Sequence, residues 1–216
     1  ISDYKLFPGK FPGIFYAAKL TPCHLGPILI DNQLSDTVSR KGKIMPSQTF
    51  ENLPQSKQAL VRQALLEEFS NHDLADAQVA RIVKSAQIAR GAFYKYFTDL
   101  TAAYRYLYQF AMNDLHDDSI RTHRLLTAEE YVAQVTAFLE QVTASPYYEL
   151  IQRHYAVNEA LLHTQAVPRL RPTSATEWAV MVLVHETIKG ALWQPQDSSQ
   201  AVQRLAAALT ALLARR

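Results

Sequence analysis

From Met45 to Arg216 the chain carries two glycines, Gly91 and Gly190, in 172 residues. An ordinary protein uses glycine at about 7%. A glycine in a helix interior costs about 1 kcal/mol relative to alanine, so a stretch this poor in it points to helix nearly throughout. The other four glycines, Gly9, Gly13, Gly26 and Gly42, and four of the ten prolines fall in residues 1–44. Charge divides at the same place. Residues 1–44 hold six basic and three acidic side chains, which leaves 16 basic against 17 acidic in the rest. The slightly basic whole is therefore a basic leader joined to a nearly neutral helical body.

Residues 1–44 follow neither a 3.6-residue nor a two-residue apolar rhythm, and their prolines and glycines would interrupt either element. They read as an irregular leader, flexible or non-native, with Met45-Pro46 as a candidate start directly ahead of the first helical pattern. A secretory signal is the competing reading, but Gly13 to Ala18 is shorter than the apolar region such a signal needs. Lys19, His24 and three prolines break the apolar window Phe11 to Ile30, so no membrane span is expected there. The single cysteine, Cys23, cannot form an internal bridge and fits a reducing, cytoplasmic setting.

The body predicts an all-α fold of about nine helices. The first opens near Pro54 and buries Val61, Ala64, Leu65 and Phe69. A second, capped by Asp76, turns Val79, Ile82 and Val83 inward, and after the turn Ala86-Gln87-Ile88 a third runs from Ala89 to about Phe97. Leu100 to Arg124 reads as a longer helix with Leu107, Phe110, Ala111 and Leu115 on one side. Thr127 and Glu130 form a capping box for a helix carrying Tyr131, Val135, Phe138 and Val142. Ser145-Pro146 begins one with Leu150, Ile151, His154, Tyr155 and Leu161, ended by Pro168 and Pro172. Thr173-Ser174 opens another, with Trp178, Met181, Val182, His185, Ile188 and Leu192 inward until Pro195. The last runs from Ser198 or Ser199 to Arg216 on a stripe of Val202, Leu205, Leu209 and Leu212, with Arg215-Arg216 at its negative end.

Two short helices joined by a tight turn, the second bearing cations and a tyrosine, describe a DNA-binding helix-turn-helix. Arg81 to Arg105 holds five Lys/Arg against one acid, Asp99, within an otherwise net-negative body. A helix of eight or nine residues rises roughly 12 Å, comparable to the major groove. Arg90 is the candidate for reading guanine edges, and Lys57, Lys84 and Lys95 are candidate phosphate contacts. Gly91 would let the helix backbone approach DNA or the preceding helix closely, and Gln78 could donate its amide to a phosphate.

The sequence IVKSAQIARGAFYKYFTDLTAAY, Ile82 to Tyr104, resembles the helix-turn-helix of the TetR family of bacterial transcription regulators. The family's core pair falls on Ile82 and Val83, its turn on Ala86-Gln87-Ile88, and its recognition-helix ending on Phe93, Tyr94, Tyr96 and Phe97. Upstream, Lys57, Ala64 and Phe69 stand where the family prefers those residue types. The chain differs in having Gln87 for the turn glycine, Ala89 for the serine that starts the recognition helix and Asp73 for the glycine after the first helix. Ala77-Gln78 and Leu100 likewise replace a Ser/Thr and a Lys.

The resemblance implies a three-helix head over residues 45–99 and a helical effector-binding and dimerisation body over residues 100–216. It implies that Tyr94 donates to a backbone phosphate and that Ala89 sits at the recognition-helix start. The expected function is a ligand-responsive repressor, a homodimer on palindromic double-stranded DNA, with no cofactor, no metal and no membrane partner. Phe110, Phe138, His154 and Tyr155 are the expected wall of a pocket for an unknown small molecule. Trp178, Met181, Val182, His185, Leu205, Leu209 and Leu212 are the expected dimer face, where Gly190 and neighbouring alanines would permit close helix approach.

Two other classes compete. A helical interaction protein could keep the fold with a degenerate helix-turn-helix. A metal-dependent phosphohydrolase of the HD type is suggested by His72-Asp73 and His116-Asp117, with Asp118 and His123 nearby. No catalytic triad, phosphate loop or CxxC pattern is present, and the chain is not expected to be an enzyme.

Overall fold

The computed structural model describes residues 46–115, 125–162 and 174–214. The leader, the reach of the fourth long pattern to Arg124, the stops at Pro168 and Pro172, the pairs at His116-Asp117 and His123, and the terminal Arg215-Arg216 lie outside the described residues. The described residues form helices and no strand.

In chain order these are α1 (Gln48–Glu51), α2 (Gln55–Asn71), α3 (Val79–Ser85), α4 (Arg90–Tyr96), α5 (Leu100–Leu115) and α6 (Ala128–Ala144). There follow α7 (Tyr148–Arg153), a π-helical turn (His154–Asn158) and α8 (Glu159–Leu162) as one run. After them come α9 (Ala175–Trp193), a 3-10 turn (Pro195–Asp197) and α10 (Ser198–Leu213). Counting the α7 to α8 run once gives nine among the described residues, as the glycine-poor body predicts.

Local chemistry starts these helices. Thr127 accepts from the Glu130 N–H while the Glu130 carboxylate accepts from the Thr127 N–H, closing the expected capping box of α6. Ser174 accepts from the Glu177 N–H at the start of α9. Pro54 stands at the N-cap of α2, and Gln58 donates from its side-chain amide to the Glu51 and Leu53 carbonyls left open before it.

A single apolar core runs from Phe50 through α2, α5, α6, α7 and α9 to Leu209. Each large side chain taken fully from water there contributes about 1.5–3 kcal/mol. Phe69 of α2 meets Tyr104 of α5 edge to face, with centroids 5.1 Å apart, so α2 is seated on the helix that leads into the body. Two further ties join the same regions. Arg153 donates to the Ser70 carbonyl at 2.7 Å and to Asp73 at 2.8 Å, and the buried Asn158 accepts from the Leu74 N–H at 2.9 Å.

Some expected orientations are corrected. Leu161 is exposed rather than inward. On α9 the buried residues are Val180, Val184, Ile188, Ala191 and Leu192, whereas Trp178 is 58% and Val182 41% exposed, with Met181 and His185 half-buried. This helix is apolar on more than one side, so periodicity alone could not select the face that meets the core. At Gly190 an added Cβ would meet nothing within 4 Å, so within the chain no close helix approach depends on it.

Candidate nucleic-acid interface

The helix-turn-helix is α3, the four residues Ala86 to Ala89, and α4. Asp76 does not cap α3. Gln78 is the N-cap residue and makes no side-chain cap bond; its own N–H donates to the Glu68 carboxylate at 2.7 Å, so the partner comes from α2. Glu68 is 4% exposed and also holds Arg81, whose Nε and Nη2 donate to it at 2.8 and 2.6 Å. Burial alone would raise this carboxyl, but the Arg81 and Gln78 hydrogen bonds outweigh that and leave it below the usual range. The sequence carried one signal for it, a glutamate inside the apolar stripe Leu65 to Phe69.

The turn is a Schellman closure. Ile88 donates its N–H to the Val83 carbonyl at 3.1 Å and Gln87 donates to Lys84 at 3.4 Å, which returns the chain at the end of α3. Gln87 lies between them at φ 53°, the left-handed region that glycine enters without a Cβ penalty. The backbone here takes a shape that suits glycine, with a glutamine side chain in place.

Phe93 is buried in α4, and Phe97 just after it, where they meet at 5.6 Å; Phe50 packs on Phe97 at 5.2 Å. That face fixes the opposite one. Arg90, Gly91, Tyr94 and Lys95 are all exposed, at i, i+1, i+4 and i+5 along one side of the helix. The residues just before α1 secure the far end of α4: the Ser47 N–H donates to the Tyr96 carbonyl at 2.9 Å and its hydroxyl to the Lys95 carbonyl. Sequence reasoning missed α1. Its signal was Ser47 three residues ahead of Phe50, whose N–H the serine oxygen accepts.

The remaining candidates divide. Lys57, Gln78, Lys84 and Ala89 are exposed, Lys84 in the last turn of α3 and Ala89 as the N-cap of α4 without a side-chain bond. At Gly91 an added Cβ would meet nothing within 4 Å, so the preceding helix does not need this glycine. Two of the five local cations are withdrawn from the surface count: Arg81 is held by Glu68, and Arg105 is buried on α5. The outward cations of this segment are therefore Lys84, Arg90 and Lys95, against the one exposed acid Asp99.

The candidate pocket residues are spread over the body. Phe110 is half-buried beneath the Arg62 guanidinium, 4.5 Å from its ring, and Phe138 is buried in the core. His154 stacks on Tyr108 at 3.9 Å and shares a 2.9 Å hydrogen bond between its Nδ1 and the Tyr104 hydroxyl. Tyr155 meets both His154 and His185 edge to face. Of these four, only Tyr155 borders the open cleft of about 420 Å³ that also takes in Ala156, Glu186, Lys189, Gly190, Trp193 and Gln194. Of the candidate dimer residues, Leu205 and Leu209 are buried within the chain and Leu212 is half-buried.

Asp73, the described acid of the His-Asp pairs, is engaged by Arg153. Among the described residues no group of three or more His, Cys, Asp or Glu could hold a metal ion, and no helix is long and apolar enough to cross a membrane.

Residues 61–99, from Val61 in α2 through α3, the turn and α4 to Asp99, match the family model of bacterial regulatory proteins, tetR family. The likeness read from Ile82 to Tyr104 is thus met by a match across the helix-turn-helix itself. No curated protein matches the chain. Among solved structures, a TetR family transcriptional regulator from Chloroflexus aurantiacus J-10-FL is similar at 19% identity and a TM-score of 0.45, covering 78% of this chain and 96% of that one.

Proposed function

We propose that this chain is a sequence-specific DNA-binding transcriptional regulator that acts as a homodimer on a palindromic operator and is released by a small molecule, as a repressor. The observation that carries this reading is the outer face of α4, where Arg90, Gly91, Tyr94 and Lys95 are presented together by a helix whose other side is anchored on Phe93 and Phe97. Arginine can read guanine in the major groove with two parallel hydrogen bonds, lysine and tyrosine can reach phosphate, and glycine lets the backbone come close.

Dimer formation is supported by α9, which carries a second apolar face with Trp178 and Val182 exposed after the first face has been buried in the core. One recognition helix spans too few base pairs for selectivity, and a pair of them about 34 Å apart matches successive major grooves. Leu205 and Leu209 have no part in this face because the chain's own core already covers them.

Selection of bound sequences from a random DNA pool tests the whole reading. The expected product is an inverted repeat with half-sites one helical turn apart. Recovery of no preferred sequence would instead favour a helical interaction protein that keeps the fold without DNA binding.

A further inference from the structure

Arg105 is 6% exposed, and its Nε and Nη2 have no hydrogen-bond partner. These two nitrogens form the side-on fork of the guanidinium. The same fork on Arg81 is filled by a carboxylate, with Nε and Nη2 donating to Glu68. Among the described residues the fork thus occurs both filled by a carboxylate, on Arg81, and buried without a hydrogen-bond partner, on Arg105. We propose that the Arg105 fork is the anchor for a carboxylate group of a small apolar acid that binds against α5.

The energetics favour a ligand. A buried guanidinium without a paired anion is the costly case, and methionine would fill similar space without that cost. Burial pushes Arg105 below the usual arginine range, and the charge of Asp99 opposes this only in part. Asp99 is itself occupied at the start of α5, where its carboxylate accepts from the Ala102 N–H at 2.7 Å. The chemistry of the neighbourhood narrows the ligand. Tyr108 and Met112, three and seven residues further along α5, share the Arg105 side of the helix and are buried, which suits an apolar body behind the carboxylate. A single planar fork matches a planar carboxylate one to one, whereas a phosphate of higher charge would call for further donors.

The position has a regulatory consequence, which rests on the reading of the chain as a DNA-binding regulator. Helix α5 follows the recognition helix after the three residues Phe97, Thr98 and Asp99. An acid bound at Arg105 would act on the helix whose Tyr106 packs on Phe97, the residue that ends the recognition helix.

Thermal unfolding of the full chain, as wild type, Arg105→Met and Arg105→Lys, in millimolar acetate, benzoate, octanoate or inorganic phosphate tests the site. Benzoate or octanoate should raise the wild-type midpoint by several degrees, act on Arg105→Lys only at roughly tenfold higher concentration, and leave Arg105→Met unmoved. Without ligand, Arg105→Met should melt above wild type. A midpoint well below wild type for both variants would show the guanidinium to be a structural tie and overturn the proposal. So would a shift by phosphate alone, equal shifts in all three proteins, or no shift in wild type. Release of the pool-selected DNA is measured separately. Carboxylate binding that leaves the DNA bound would overturn the regulatory consequence while the site stands, and no DNA binding at all would overturn the regulator reading alone.

Discussion

Glu68 reaches from α2 to grip Arg81 in α3, with Arg81 Nη2 donating to its Oε1 at 2.6 Å, and the same oxygen accepts the Gln78 N–H that opens α3. One buried carboxylate thus does for the N-cap N–H of α3 what the N3 glutamate of a capping box does, and it removes a cation from the DNA-facing count. Replacing Glu68 by alanine leaves that N–H and Arg81 without their partner, with an expected loss of about 2–3 kcal/mol in denaturant unfolding. Arg81→Ala should also destabilise but leave the salt slope of DNA binding unchanged, because the guanidinium is committed within the protein.

Gln87→Gly should raise stability. The left-handed backbone at this residue costs a side chain roughly 1–2 kcal/mol, part of which is returned by the greater freedom of glycine in the unfolded chain, for a net gain of about 0.5–1 kcal/mol. Chemical denaturation of the two proteins side by side reads this directly. A destabilised variant would mean that the Gln87 side chain makes a contact that outweighs its backbone strain.

The outer face of α4 permits a separation of folding from binding. Gly91→Ala adds a Cβ that meets nothing in the protein and removes a helical glycine, so unfolding should become harder by up to about 1 kcal/mol while DNA affinity falls. Lys95→Ala should weaken binding to all sequences alike and flatten the salt dependence by about one unit. Arg90→Ala should relax base preference at one position in each half-site. Gel-shift titrations over a range of salt and a panel of operator variants distinguish the three.

Charge placed on the exposed side of α9 should dissociate the dimer without unfolding the chain. Trp178→Glu and Val182→Glu alter residues outside the core, so the midpoint of unfolding at low protein concentration should change little. Their loss from an interface centre is expected to weaken association by about 2 kcal/mol, roughly thirtyfold. Light scattering against concentration measures it, and a wild-type chain that is monomeric at micromolar concentration would remove the premise.

The His185 and Glu159 pair sets a pH window. Burial alone would raise Glu159, but His185 at 3.0 Å and Lys189 at 3.1 Å hold it down to about 2. The hydrogen bond to Glu159 raises His185 against its burial, with Glu186 adding to the rise. The glutamate contribution, of order 3 kcal/mol by linkage, is present above its unfolded value near 4.5 and lost as pH falls toward about 2. The histidine contribution is present below its unfolded value of 6.5 and lost as pH rises through the raised folded value. Stability from this pair should therefore be greatest between about pH 4.5 and 6.5, and His185→Gln should remove the alkaline limb of the unfolding profile while reducing the acid one.

The helical class, the order of the elements from α2 onward, the capping box at Thr127 and Glu130 and the inward placement of Phe69, Ile82, Phe93 and Phe97 were legible in the sequence. All of these follow from local spacing, since residues three and four apart share a helix face whatever surrounds it. Which of two apolar faces of α9 turns to the core was not legible, nor was the withdrawal of Arg81 and Arg105 from the surface charge. Those depend on neighbours far away in the chain. A side chain's exposure, and the freedom of its charge, are set by what packs against it, and only the tertiary structure brings Glu68 to Arg81 or leaves Trp178 uncovered.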